Sequence, residues 1–152
     1  LSLVTAGCGF QLREATEIPP ELSPVYVEAP VSSRIHHPLH TALHAGGAEV
    51  SGSRAQAGTV IRILSEVQDA RVNAVNSQGK VIANELVYLV TFDAVKADGT
   101  QLAKRQTIRI AREHINPDDE VIGRAEEANL IRRDMAVDMA DRILRRLKSQ
   151  LI

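Results

Sequence analysis

Tryptophan is missing from this 152-residue chain, and other aromatics are few: two Phe and two Tyr. That scarcity excludes the aromatic platforms on which single-stranded nucleic acids stack, so no nucleic-acid partner is expected. Neither sign of charge dominates. With 18 Lys and Arg against 19 Asp and Glu, the formal net charge is −1, and no global field steers a partner. No apolar run is long enough to span a bilayer as a helix. Gly-x-Ser-x-Gly, a Gly-rich phosphate loop and His-Glu-x-x-His are all absent, so neither catalytic residues nor a cofactor is expected. A single cysteine, Cys8, excludes an internal disulfide.

What is present suits one domain with a real core, since 44% of the residues are apolar. Charge is uneven locally. Residues 54–112 hold nine Lys and Arg against five Asp and Glu, whereas residues 1–53 hold two against five. The middle of the chain is therefore either a place for an anionic partner or a solvated sheet face.

Residues 9–23, with Pro19 and Pro20, read as a linker. A short strand is predicted at 25–29, between Pro24 and Pro30. Ile35, Leu39 and Leu43 recur at helical spacing, with Ser33 as N-cap and Gly46-Gly47 as the stop. Pro38 must kink this helix or mark its first turn. Residues 51–58 read as a loop.

Three long strands are expected next. In 59–75, Ile61, Ile63 and Val67 fall on one face and Arg62, Glu66 and Gln68 on the other. Asn76-Ser77-Gln78-Gly79 is a turn signal. Residues 85–95 are apolar on both faces, with Leu86, Tyr88, Val90 and Phe92 against Val87, Leu89 and Val95. Asp98-Gly99 is a tight-hairpin signal. Residues 102–113 place Ile108 and Ile110 opposite Arg105 and Arg109.

A last helix opens at Asn116–Glu120, with acid where the helix dipole favours it. It carries a stripe of Ile131, Met135, Met139, Ile143 and Leu147. Arg142, Arg145, Arg146 and Lys148 close it, as a solvated cap or as a binding patch. Glu126 and Glu127 point in different directions and read as solvent-facing.

The predicted fold is a two-layer α/β (α+β) domain over 24–152, a mostly antiparallel four-stranded sheet packed against two helices. If both helices cover one face, the doubly apolar strand at 85–95 leaves apolar surface for a partner on the other. The alternative is one helix per face.

Four of the five histidines lie close together at 36, 37, 40 and 44. His36, His40 and His44 share a helix face at metal-ligand spacing. Little acid and no cysteine stand nearby to complete a shell, and Pro38 disturbs the geometry, so no metal is expected. Protonation could still alter that surface.

Cys8 ends the run Leu1-Ser2-Leu3-Val4-Thr5-Ala6-Gly7-Cys8. Small residues after a short apolar stretch resemble a lipobox, where a lipoprotein precursor is cut before the cysteine that receives lipid. Residues 1–7 then read as the tail of a signal peptide, and 8–23 as the lipidated cysteine and its linker. Thr5 stands where such motifs usually carry leucine. The alternative is a buried cysteine near the terminus. Gly9 replaces the aspartate that typically retains lipoproteins at the inner membrane, so the outer membrane of a Gram-negative cell is the expected destination.

Cys8-Gly9-Phe10-Gln11-Leu12-Arg13 matches Cys-Gly-aromatic-x-Leu-Arg. With the element order, it resembles the LPS-assembly lipoprotein (LptE) family. That resemblance implies a lipid-anchored protein on the periplasmic face of the outer membrane. It also implies a plug inside the LptD β-barrel that binds lipopolysaccharide, helps the barrel assemble and catalyses nothing. Carried across residue by residue, it gives Cys8 as the lipid site. Arg124 and, less directly, Lys80 become the lipopolysaccharide contacts. A different class remains open: a lipoprotein scaffold of another envelope complex, with no lipid ligand.

Overall fold

A computed structural model of the protein describes residues 15–115 and 121–150. Cys8 and the acidic 116–120 segment lie outside the described residues, as does the side chain of Arg124. In chain order the elements are β1 (Val25–Glu28), α1 (His36–Ala45), β2 (Thr59–Val75), β3 (Val81–Lys96), β4 (Gln101–Ile115) and α2 (Val121–Gln150). Short 3-10 turns stand at Pro20–Leu22 and Arg54–Gln56.

The sheet runs β1-β2-β3-β4. β2, β3 and β4 form the expected antiparallel meander. β1 joins it parallel to β2, with Val25 beside Thr59 and Glu28 beside Arg62. A parallel neighbour requires a crossover, and α1 with its following loop supplies it.

Both helices pack on one face. Leu39 and Leu43 of α1 and Met135, Met139 and Ile143 of α2 share one core with Tyr88, Val90, Phe92, Ile108 and Ile110 of the sheet. The spacing-four stripe of α2 is buried as predicted from Met135 onward, with Ile131 half-buried at its edge. The opposite sheet face carries no helix among the described residues.

β2 departs from simple alternation. Its register on β3 slips between Ile63 and Ser65, so Leu64 is an extra residue. Ile61 and Ile63 face the helices beside Ala94 and Phe92. Beyond the bulge the parity reverses, and Glu66 and Gln68 stand on the helix side opposite Val90 and Tyr88. Val67 therefore lies on the helix-free face, 48% exposed. Its predicted grouping with Ile61 and Ile63 is corrected by this one-residue insertion.

α1 begins without the expected Ser33 cap. Ile35 holds the N-cap position, and the Ser33 hydroxyl donates instead to Glu66 Oε2 at 2.5 Å. Pro38 is the third helical residue, where an N–H would have no intrahelical acceptor, so it sits in the first turn at little cost. Leu39 N donates to Ile35 O at 2.9 Å and starts the helical ladder.

Part of the predicted linker is packed. Ile18 is buried in the core, and its N–H donates to Gly46 O at 2.9 Å. A Cβ on Gly46 would strike the Thr16 carbonyl oxygen, so glycine is needed there for close approach. Gly47, at φ +80°, makes the left-handed stop.

α2 runs antiparallel to β4. Glu127 lies beside His114 at 3.3 Å, Asp138 beside Arg112 at 3.4 Å, and Arg146 beside Gln106 at 3.4 Å. The molecule thus has two ends. One gathers the start of β1, the β3–β4 turn and the C-terminus of α2. The other gathers the β2–β3 turn, the end of β4 and the start of α2.

Candidate functional site

Lys80 stands at the β2–β3 turn and the backbone of residue 124 in the first turn of α2, at the same end of the molecule. Asn76 builds the turn: its Oδ1 accepts from the N–H groups of Gln78 at 3.0 Å and Lys80 at 2.9 Å. Gly79 takes φ +78°, and Lys80 emerges exposed where the strand resumes. The register Ala83↔Ile115 sets the end of β4 beside this turn. The helix backbone carrying Arg124 starts from the same end.

That end is also apolar. β2 runs past the helical layer, and from Asp69 to Val75 all residues but Ala74 are exposed. Val72, Val75 and Ile115 are 61%, 54% and 65% exposed. A cation at a rigid turn beside exposed aliphatic side chains can engage a ligand that is anionic at one part and hydrocarbon at another. Composition and charge counts showed the cations, whereas the apolar company needed the hairpin's length relative to the helices.

The helix-free face is mixed. Arg62 grips the buried Asp93 with Nε at 2.7 Å and a terminal nitrogen at 2.6 Å, a bidentate pair that raises the Arg62 pKa through its hydrogen bonds. Thr91 and Thr107 hydroxyls meet at 2.8 Å, and Arg109 pairs with Glu85 at 3.2 Å. Between them stand Leu89 and Val67, paired in register. Val87 shares this face yet is only 2% exposed, so the apolar surface offered there is narrower than the alternation implied. Toward the β1 end, Ala57 from the 51–58 loop packs on Val60 and Val95, and Arg54 ties that loop to Glu28 at 2.6 Å.

On the helix side, Glu66 is a junction that sequence patterning missed. Its carboxylate accepts from Ser33 Oγ and, at 2.5 Å, from the Tyr88 hydroxyl. Burial and this anionic partner push the Tyr88 pKa far up. The contact joins the approach to α1 to the middle of the sheet, which is a structural role.

The histidine cluster folds onto α1 as predicted. His36 and His40 rings stack with centroids 4.4 Å apart. Burial, then the neighbouring histidines, lower the His40 pKa. Among the described residues no group of three or more His, Cys, Asp or Glu is placed to hold a metal ion. No described helix is long and apolar enough to cross a membrane.

The two-layer domain thus leaves one mixed sheet face without a helix among the described residues, and one end both basic and apolar. The same fold occurs in solved bacterial lipoproteins. A lipoprotein B from Nitrosomonas europaea superposes with a TM-score of 0.74 at 29% identity, covering 91% of this chain and 89% of that one. The rare lipoprotein B of Shewanella oneidensis gives 0.71 at 19% identity over 82% and 93%. A minor lipoprotein of Acinetobacter baumannii gives 0.70 at 20% over 86% and 94%. In sequence, the chain is 26% identical over 154 residues to the LPS-assembly lipoprotein LptE of Photorhabdus laumondii, covering 95% of this chain and 79% of that protein. The model of the lipopolysaccharide-assembly family LptE matches residues 22–147. This chain belongs to the LptE family, which is not an enzyme family.

Proposed function

We propose that this protein is a lipid-anchored component of the lipopolysaccharide-assembly machinery of the outer membrane. Cys8 is its acylated residue. It sits within the LptD β-barrel on the periplasmic side and contacts lipopolysaccharide with the end that carries Lys80 and Arg124.

The observation that carries this reading is that end. It carries an exposed cation at the β2–β3 turn, at the end where Val72, Val75 and Ile115 are also exposed, a combination that suits phosphate and acyl chain in one ligand. The mixed helix-free face suits the polar lumen of a barrel. Acylation at Cys8 supplies several chains, which hold far more firmly than a single one.

The test is pull-down of the tagged full chain from solubilised envelopes, followed by binding of labelled lipopolysaccharide. The barrel should co-purify, and Lys80→Asp with Arg124→Asp should weaken lipopolysaccharide binding by about tenfold per residue. Co-purification with a different envelope complex, and no lipopolysaccharide binding, would establish the scaffold reading instead. Palmitate labelling that persists in Cys8→Ser would remove Cys8 as the anchor.

A further inference from the structure

The opposite end of the molecule holds a second basic surface that the proposed lipopolysaccharide contacts do not use. Arg109 of β4 and Arg142, Arg145 and Arg146 of α2 line a cleft of about 420 Å³. Arg145 also lines an adjoining cleft of about 630 Å³, with Lys148 and with Ala15, Thr16 and Glu17 of the N-terminal segment.

The cations are held ready. Arg142 is braced by Asp138 at 3.1 Å and Arg109 by Glu85 at 3.2 Å. Among the described residues, the Arg146 side chain meets the neutral Gln106 amide, at 3.4 Å. Arg145 makes no hydrogen bond or ion pair with any described residue, and Glu17 is the carboxylate lining its cleft. The C-terminus of a long helix stabilises cations, which explains how three arginines and a lysine share its last turns. Arg109 borders the cleft from the edge strand β4, and its guanidinium is held by Glu85 on the helix-free face.

Covalent geometry ties this end to the anchor. Ala15 lies seven residues after Cys8, and an extended chain of that length reaches at most about 25 Å. α2 has 30 residues and is about 45 Å long. Seven residues are therefore too few for an acylated Cys8 to reach the start of α2.

We infer that the Arg142–Lys148 end of α2 is a docking surface for the phosphodiester headgroups of anionic phospholipids in the leaflet that holds the anchor. Orientation rests on Cys8 being the lipid site. Guanidinium groups match phosphate oxygens in paired hydrogen bonds, and the cleft is open enough to admit a headgroup. Anchor and arginines then form the two signals that stable membrane attachment requires.

The experiment uses the full chain with Cys8→Ser, so that acyl chains do not drive binding. Its sedimentation is measured with phosphatidylcholine vesicles, with and without phosphatidylglycerol. Binding should need phosphatidylglycerol and fall with salt. Arg145→Gln with Arg146→Gln should weaken it roughly thirtyfold, about fivefold per cation, whereas Arg133→Gln, exposed in the first half of α2, should leave it unchanged. Equal binding to both vesicles would overturn the inference, as would indifference to the two arginine substitutions. So would complete displacement by inorganic phosphate at matched ionic strength, which would mark a free-phosphate site. Palmitate labelling of the native chain reads the anchor separately, so failure of the anchor and failure of the surface are distinguishable.

Discussion

Glu66 shows how much one carboxylate decides. It accepts hydrogen bonds from Ser33 and Tyr88, and Tyr88 is fully buried. In Glu66→Ala the Tyr88 hydroxyl loses its acceptor, and urea unfolding should show a loss of about 1–3 kcal/mol. Tyr88→Phe together with Glu66→Leu removes both partners and should recover most of that loss. A second residue, His40, gives the protein a pH dependence. Its folded pKa lies below the ordinary histidine value of 6.5, chiefly through burial. The unfolded chain therefore binds a proton at His40 before the folded one does. Stability should be full above about pH 6.5, fall as pH drops through that value, and level off below the folded pKa. Melting temperature against pH checks this, and His40→Gln should flatten that part of the profile.

Among the elements, β2 carries the sharpest lesson about reading a sequence. Its bounds at 59 and 75 follow from alternation and turn signals and agree with the structure. The bulge at Leu64 does not show in alternation, because an extra apolar residue between Ile63 and Ser65 looks like one more strand position. For that reason alone alternation places Val67 on the wrong face. The Ser33 hydroxyl does not cap α1 because its partner Glu66 lies 33 residues away, and a cap is the only local use a serine advertises. The β2–β3 turn and the start of α2 fall at one end because α2 runs antiparallel to β4. The bare face makes a prediction at this scale. Leu89→Glu, half-buried on that face beside Arg109 in register, should change the stability of the isolated domain by no more than about 1 kcal/mol. It should weaken recovery of the barrel in pull-down. Val90→Glu, one residue along and fully buried under the helices, should cost several kcal/mol and lose the fold first.

For the whole molecule, the arrangement of β1 has a mechanical consequence. β1 starts at the end that acylation at Cys8 would anchor and lies parallel to β2, joined by four register pairs from Val25–Thr59 to Glu28–Arg62. Suppose tension is applied between the membrane and a partner gripping the β2–β3 hairpin. It then pulls β1 lengthwise past β2. The ladder is loaded in shear, and its hydrogen bonds must yield together rather than unzip one after another. The weakest-looking strand of the sheet, only four residues long, is thus oriented as a tensile joint between the N-terminal segment and the body of the protein.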